Sequence, residues 1–259
     1  MSRGIHVKLI VNADDLGYNP GVNRGIITAF EEGVVTSTTM LVNGDYFEDT
    51  VELVNRCRNE LGAGLHVNLT RGNPVSSPAK VSSLLDNNRF FWEIDVLYQK
   101  ELVREEIKEE IISQLDKLKD SGIYPTHMDA HHHLQHHPLV LEVMSEIALI
   151  YKLPLRNVGE KTKKFFRENN IPTPDYFISS FFGKGATEDN LMTWLKELKI
   201  KGDLIVEVMT HPGYREGFNT RSSYREGRER ELEILCSSKI KDFIKEEKIT
   251  LVDYRYFQK

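Results

Sequence analysis

Val7–Asn12 reads VKLIVN and runs straight into Ala13-Asp14-Asp15. An apolar run this short, bounded by polar residues, fits a strand buried on both faces. Strands of that kind belong to parallel sheets. This one ends on two adjacent carboxylates. Asn19-Pro20 then supplies a helix cap followed by proline at the first helical position, and Gly33 is placed to end the helix near Glu32. The unit of buried strand, polar strand end and helix recurs along the chain.

Seven more strands are predicted: Ser37–Val42 (STTMLV), Ala63–Leu69 (AGLHVNL), Thr126–Ala130, Leu153–Asn157 (LPLRN), Tyr176–Ser179 (YFIS), Asp203–Thr210 (DLIVEVMT) and Thr250–Tyr254 (TLVDY). Helices are expected over Tyr46–Arg58, Glu101–Asp120, Leu139–Tyr151 and Leu191–Leu198, with Arg225–Lys248 as one long helix or a pair. In Glu101–Asp120 the residues Val103, Ile107, Ile111, Leu115 and Leu118 share one helical face. Alternating strands and helices call for a parallel sheet, and eight units in about 250 residues match a (β/α)₈ barrel. The expected fold is one α/β domain over residues 1–259, a TIM-like (β/α) barrel, regular or irregular. A doubly wound open sheet is the competitor; the two differ in whether the first and last strands pair.

Residues 70–98 interrupt the rhythm with Pro74, Pro78 and the aromatic run Phe90-Phe91-Trp92. A long insertion of this kind is more often functional than not. Its aromatics could stack on a sugar or form a satellite core. The glycine-rich Phe182–Ala186 lacks the spacing of a phosphate-binding loop.

With 40% hydrophobic residues, the 259-residue chain can bury a sizeable core. A net charge of −5 suggests no general affinity for nucleic acid or an acidic membrane surface. No apolar run reaches the length of a transmembrane helix, and the N-terminal residues show no signal-peptide pattern. Two cysteines, Cys57 and Cys236, exclude a disulfide scaffold, and a reducing cytoplasm is expected.

Six of the nine histidines fall in THMDAHHHLQHH, Thr126–His137. In a strand, His127, Asp129 and His131 would share a face. Imidazoles and a carboxylate converging there suit a divalent metal; a solvated loop is the bland alternative. Catalytic groups of an α/β barrel gather at the C-terminal strand ends. Here those ends supply Asp14, Asp15, His66, His131, Arg156 and His211, and the second strand ends at Asn43. A lone histidine such as His66 is usually a satisfied core residue. Unpaired polar groups at several equivalent strand ends are harder to explain by packing, because burying them costs energy. One carboxylate and two imidazoles leave coordination positions open, which suits hydrolysis. Which of Asp14 and Asp15 would be ligand and which base is open on these grounds. Alternation of the strand singles out His131 over His132 and His133. His127 and Asp129 are candidates for orienting the ligand rings, or are buried residues paired with each other.

VNADDLGYNPGVNRGI, TSTTMLVN, GLHVNLT, THMDAHHH and EVMTHPGY, in this order from Val11 onward, resemble the YdjC-type carbohydrate deacetylases, which include chitooligosaccharide deacetylases. The resemblance spans nearly the whole chain. It implies a (β/α) barrel of the glycoside hydrolase/deacetylase type and a divalent ion, magnesium with zinc as alternative. It also implies removal of an N-acetyl group from an amino sugar, and often a homodimer. By matching position, Asp15, His66 and His131 would be metal ligands, Asp14 the base and His211 the acid-side histidine. Thr210 stands where family members often have cysteine. A phosphoesterase or an aldose isomerase would want more carboxylates, and a metal-storage protein would leave Asp14 and His211 unexplained.

Overall fold

The computed structural model describes residues 6–216 and 224–258. Its strands are β1 (Val7–Leu16), β2 (Ser37–Met40), β3 (Gly62–Val67), β4 (Met128–Ala130), β5 (Tyr176–Ile178), β6 (Leu204–Thr210) and β7 (Thr250–Leu251). They form one parallel sheet in the order β4-β3-β2-β1-β6-β5, with β7 on β1. The helices are α1 (Pro20–Glu31), α2 (Glu48–Cys57), α3 (Ile94–Leu97), α4 (Arg104–Asp120), α5 (Pro138–Tyr151), α6 (Glu160–Glu168), α7 (Glu188–Lys199), α8 (Glu226–Cys236) and α9 (Ser238–Glu246). Side chains from strands and helices share one contiguous hydrophobic core.

The expected closed eight-stranded barrel is not formed. The sheet is a half-barrel, for two local reasons. First, LPLRN makes no ladder: Leu155 alone bridges Met128, and its N–H donates to Pro172 O at 2.9 Å. Pro154 can donate no bond there. Among the described residues no ladder joins β4 to β5, and this segment fills the gap between them. Second, TLVDY pairs for only two residues, Thr250 with Lys8 and Leu251 with Leu9. β2 pairs the upper part of the same edge of β1, from Asn12 to Leu16. The last strand does meet the first, but below β2, so the contact closes nothing. Beyond it the chain turns into a 3₁₀ segment, Tyr254–Gln258.

Most other elements lie close to their predicted spans. Asn19 Oδ1 caps α1 by accepting from Val22 N–H at 2.8 Å. Ile107, Ile111, Leu115 and Leu118 are buried along α4, while Val103 precedes the helix and is exposed. Arg225–Lys248 proves to be a helix pair broken at Ser237, whose hydroxyl caps α9. In the 70–98 insertion the satellite-core reading fits: Phe91 is buried, and Trp92 packs on the core with its Nε1–H on Ser83 O at 3.1 Å. Only Phe90 of the three points outward.

Helix α1 lies backbone-to-backbone against the turn that follows β6. Tyr214 N–H donates to Gly21 O at 3.0 Å. A Cβ on Gly25 would stand 2.4 Å from Gly213 Cα. Alanine would gain helix propensity, ~1 kcal/mol, but overpacking against backbone costs about 1–3 kcal/mol or more. Gly25→Ala is therefore expected to lower the melting temperature and to shift the turn carrying His211. A thermal melt with no loss would mean that α1 can slide away freely.

Candidate functional site

Adjacent residues of a regular strand point to opposite faces, yet Asp14 and Asp15 both serve the mouth of the half-barrel. A register shift between Ala13 and Leu16 breaks the β1–β2 pairing at this point, and Asp15 has φ +75°. Bulges re-aim side chains in this way, and a non-glycine residue in the left-handed region costs energy that the surroundings must offset. Asp15 faces the imidazoles: its Oδ1 lies 3.5 Å from His66 Nε2 and 3.2 Å from His131 Nδ1, and those nitrogens are 3.3 Å apart. All three residues are buried. Strand β4 stops at Ala130, so it is a 3₁₀ turn, rather than strand alternation, that delivers His131. His132 and His133 follow with φ near +55°, and His132 is solvent-exposed.

Asp15 Oδ1 is a buried acceptor that no donor reaches with hydrogen-bond geometry. His66 Nδ1 is engaged by Asp129 Oδ1 at 2.7 Å, which turns Nε2 toward Asp15. A carboxylate behind an imidazole is the usual support of a metal-ligating histidine. Burial opposes charge on His66, but Asp129 outweighs it and pushes the ring up to about 10. An ion held by these three residues would displace that extra proton. The donor set, one carboxylate oxygen and two imidazole nitrogens in mutual contact, fits a divalent metal.

Asp14 turns to Arg156, a fully buried guanidinium that follows the Leu155 bridge. Arg156 donates from Nη1 and Nη2 to the two oxygens of Asp14 at 2.7 Å each. It also pairs with Asp129 at 2.6 Å and Glu207 at 2.8 Å. Burial works against ionised Asp14, but Arg156 holds its carboxyl well below the usual range. Glu207 goes the other way: burial outweighs Arg156 and pushes it up to about 7.

His211 follows β6 and faces Asp14 across the site, with Nε2 4.0 Å from Asp14 Oδ2. Burial pushes its ring down to about 4, below the near-neutral value expected of an unperturbed histidine. Its backbone N–H donates to Glu231 Oε2 at 2.5 Å, and Tyr224 OH donates to Oε1 at 2.5 Å. Phe182 stacks on Tyr224 with ring centroids 4.0 Å apart and stands 5.5 Å from the His211 ring.

Two sequence candidates lie outside this cluster. His127 stacks on Tyr254 at 3.7 Å, and its Nδ1 meets Thr126 Oγ1 at 2.9 Å rather than Asp129. Asn43 ties down the start of the insertion, donating to Arg71 O at 3.1 Å and Asn73 O at 2.9 Å. Sequence reasoning missed Arg228, which is buried and pairs with Asp15 Oδ2 at 2.5 Å. It also missed Glu207 and Glu231. A lone glutamate in the apolar DLIVEVMT was a usable signal for Glu207. Arg228 and Glu231 sit in the charged helix EGRERELEILC, which reads as a solvated face.

A parallel half-barrel carrying at its C-terminal mouth an Asp/His/His group able to hold a metal ion defines the class of site. A family profile described as YdjC-like protein matches residues 8–246. The chain belongs to the YdjC family. A relative from Brevibacillus brevis, named carbohydrate deacetylase, is 39% identical over 96% of this chain and 98% of its own. A crystal structure from Enterococcus faecalis V583, provisionally named a cellobiose-phosphate cleavage protein, superposes with a TM-score of 0.90 at 33% identity, covering 97% of this chain and 99% of that one. A family 4 carbohydrate esterase from Streptomyces lividans shares the fold at a TM-score of 0.52 and 11% identity, over 95% and 91% of the two chains. Among the described residues no helix is long and apolar enough to cross a membrane.

Glu231 gives the site a pH signature. Burial raises it from 4.5 to about 8 against the pull of its Tyr224 and His211 donors. Between those values the folded chain keeps a proton that the unfolded chain has lost, so this group makes stability fall as pH rises. Glu231→Gln removes that slope. The melting temperature of the variant relative to the native chain should climb from about pH 5 to about pH 9; a constant difference would place the proton elsewhere.

Proposed function

We propose that this chain is a divalent-metal-dependent hydrolase that removes the acetyl group from N-acetylated amino sugars, chitooligosaccharides among them. The observation that carries the reading is the convergence of Asp15, His66 and His131 on one point, with Asp14 on one side and His211 facing it. Relatives named carbohydrate deacetylase, matched over nearly their whole length, support the substrate class. Asp15, His66 and His131 would hold the ion. The family resemblance favours magnesium; two imidazoles beside one carboxylate suit zinc as well, and metal analysis of the purified protein decides between them. When bound, the ion would lower the pKa of a water and polarise the acetyl carbonyl.

The chain's own groups supply the proton path. Asp14, kept ionised by Arg156, accepts the proton of the attacking water. Arg156 also fixes the carboxylate plane through two parallel hydrogen bonds. The departing sugar amine needs a proton, because an amide anion is a very poor leaving group. His211 is the facing donor. Burial disfavours charge on its ring, so its proton would come from a neighbour, and Asp14 at 4.0 Å is placed to hand one over.

Acetate release from N-acetylglucosamine oligomers, measured with and without a chelator, tests the reading; release indifferent to metal removal would refute it. Asp15→Asn is expected to lower bound metal. Asp14→Asn should retain metal and lose turnover by roughly 10²–10⁴, the usual share of a general base. Equal metal loss in both would mean that the roles are shared.

His211→Ala is expected to keep the fold and the metal and to lose most N-acetyl sugar activity. An activated acetate ester, whose leaving group departs unprotonated, should suffer much less. An equal loss on both, with a lowered melting temperature, would make His211 a structural residue of its turn.

A further inference from the structure

We propose that Phe182 is a substrate-positioning residue whose outward ring face stacks on a pyranose of the saccharide at the mouth of the half-barrel, beside His211. The inference rests on the deacetylase reading and adds to it a sugar-binding surface. Phe182 is 45% exposed, large and apolar. Tyr224 covers one of its faces, with rings 4.0 Å apart and 22° from parallel. His211 stands beside it, nearly perpendicular at 72°. The exposed part of the Phe182 ring therefore lies beside His211, with ring centroids 5.5 Å apart.

This surface is built rather than loosely exposed. Gly183 N–H donates to Tyr224 OH at 2.8 Å, and Tyr224 OH donates in turn to Glu231. Glu231 also receives the His211 backbone N–H. The aromatic pair and the histidine thus share one anchor. Gly183, at φ +58°, turns the chain directly after Phe182, and a side chain on Gly185 would run into Ser180 O at 2.0 Å. The turn holds the ring where it is.

The chemistry of the face selects its ligand. A gluco-configured, β-linked pyranose carries its substituents equatorially and presents axial C–H bonds on both faces. Such a face is apolar, rigid and about the size of a phenyl ring. It pairs with an aromatic ring by area burial and by contact with the negative π face. Aromatic walls with a few convergent polar groups are how small-molecule sites combine affinity with orientation.

The experiment uses the metal-loaded full chain, native and with Phe182→Ala or Phe182→Trp. N,N′-diacetylchitobiose is the saccharide substrate, and vinyl acetate, which has no ring, is the control. Calorimetric binding of the saccharide to the metal-free chain gives a readout apart from turnover. Phe182→Ala should raise KM and Kd for the saccharide about tenfold, the scale of an aromatic contact. Its kcat should change little, and vinyl acetate hydrolysis should be unaltered. Phe182→Trp should restore KM. An unchanged KM in Phe182→Ala, or equal loss on both substrates, would overturn the platform. A native chain that releases no acetate from any N-acetylated saccharide would instead overturn the deacetylase reading itself.

Discussion

A single buried guanidinium holds the interior of this half-barrel together. Arg156 is wholly out of water and touches carboxylates from three strands: Asp14 on β1, Asp129 on β4 and Glu207 on β6. A buried charge left unpaired is strongly destabilising, so these strands cannot separate without stranding it. The segment that carries Arg156 makes only one bridge to the sheet. Charge pairing across the interior does here what a continuous hydrogen-bond ladder does in a closed barrel. Asp129 is also matched by His66, and Glu207 is moved by burial toward its protonated form while Tyr254 OH binds its other oxygen.

From that network the site is built outward. Asp129 uses one oxygen for Arg156 and the other for His66. Arg156 therefore orients a candidate ligand ring through one intermediary and the candidate base directly. Thr39 joins the same layer, donating to Asp129 Oδ2 at 3.1 Å, and Asn12 donates to Asp14 Oδ1 at 2.8 Å. The mouth above is governed separately. Arg228 takes the outer oxygen of Asp15, and Glu231 receives the backbone of His211. Both come from α8, so one helix touches both Asp15 and the turn that carries His211.

Much of this was legible in the residues. Apolar runs with polar ends located the strands, and the polar ends located Asp14, Asp15, His66, His131, Arg156 and His211 together. Periodicity could not reveal the bulge that brings neighbouring aspartates to one mouth, because alternation alone sends them to opposite faces. Nor could it reveal the half-barrel. Whether LPLRN makes a ladder depends on what Met128 and Pro172 offer it, which is a tertiary fact. Arg228 and Glu231 were hidden by company: among so many charges, a buried pair looks like the rest of a wet helix face. The structure places His127 and Asn43 outside the Asp15, His66 and His131 cluster. His127 engages Thr126 through Nδ1 alone, and the Asn43 amide nitrogen donates to the 71–73 backbone.

The bulge after Ala13 places two acids early in the chain whose counter-charges come late. Asp14 waits for a residue 142 positions on, and Asp15 for one 213 positions on. Loops that long close slowly, since their entropy must be lost before the contact rewards it. Until they close, each carboxylate is best left in water. The mouth of the half-barrel is thus held by contacts of very long sequence separation, and it is complete only when segments from both ends of the chain meet there.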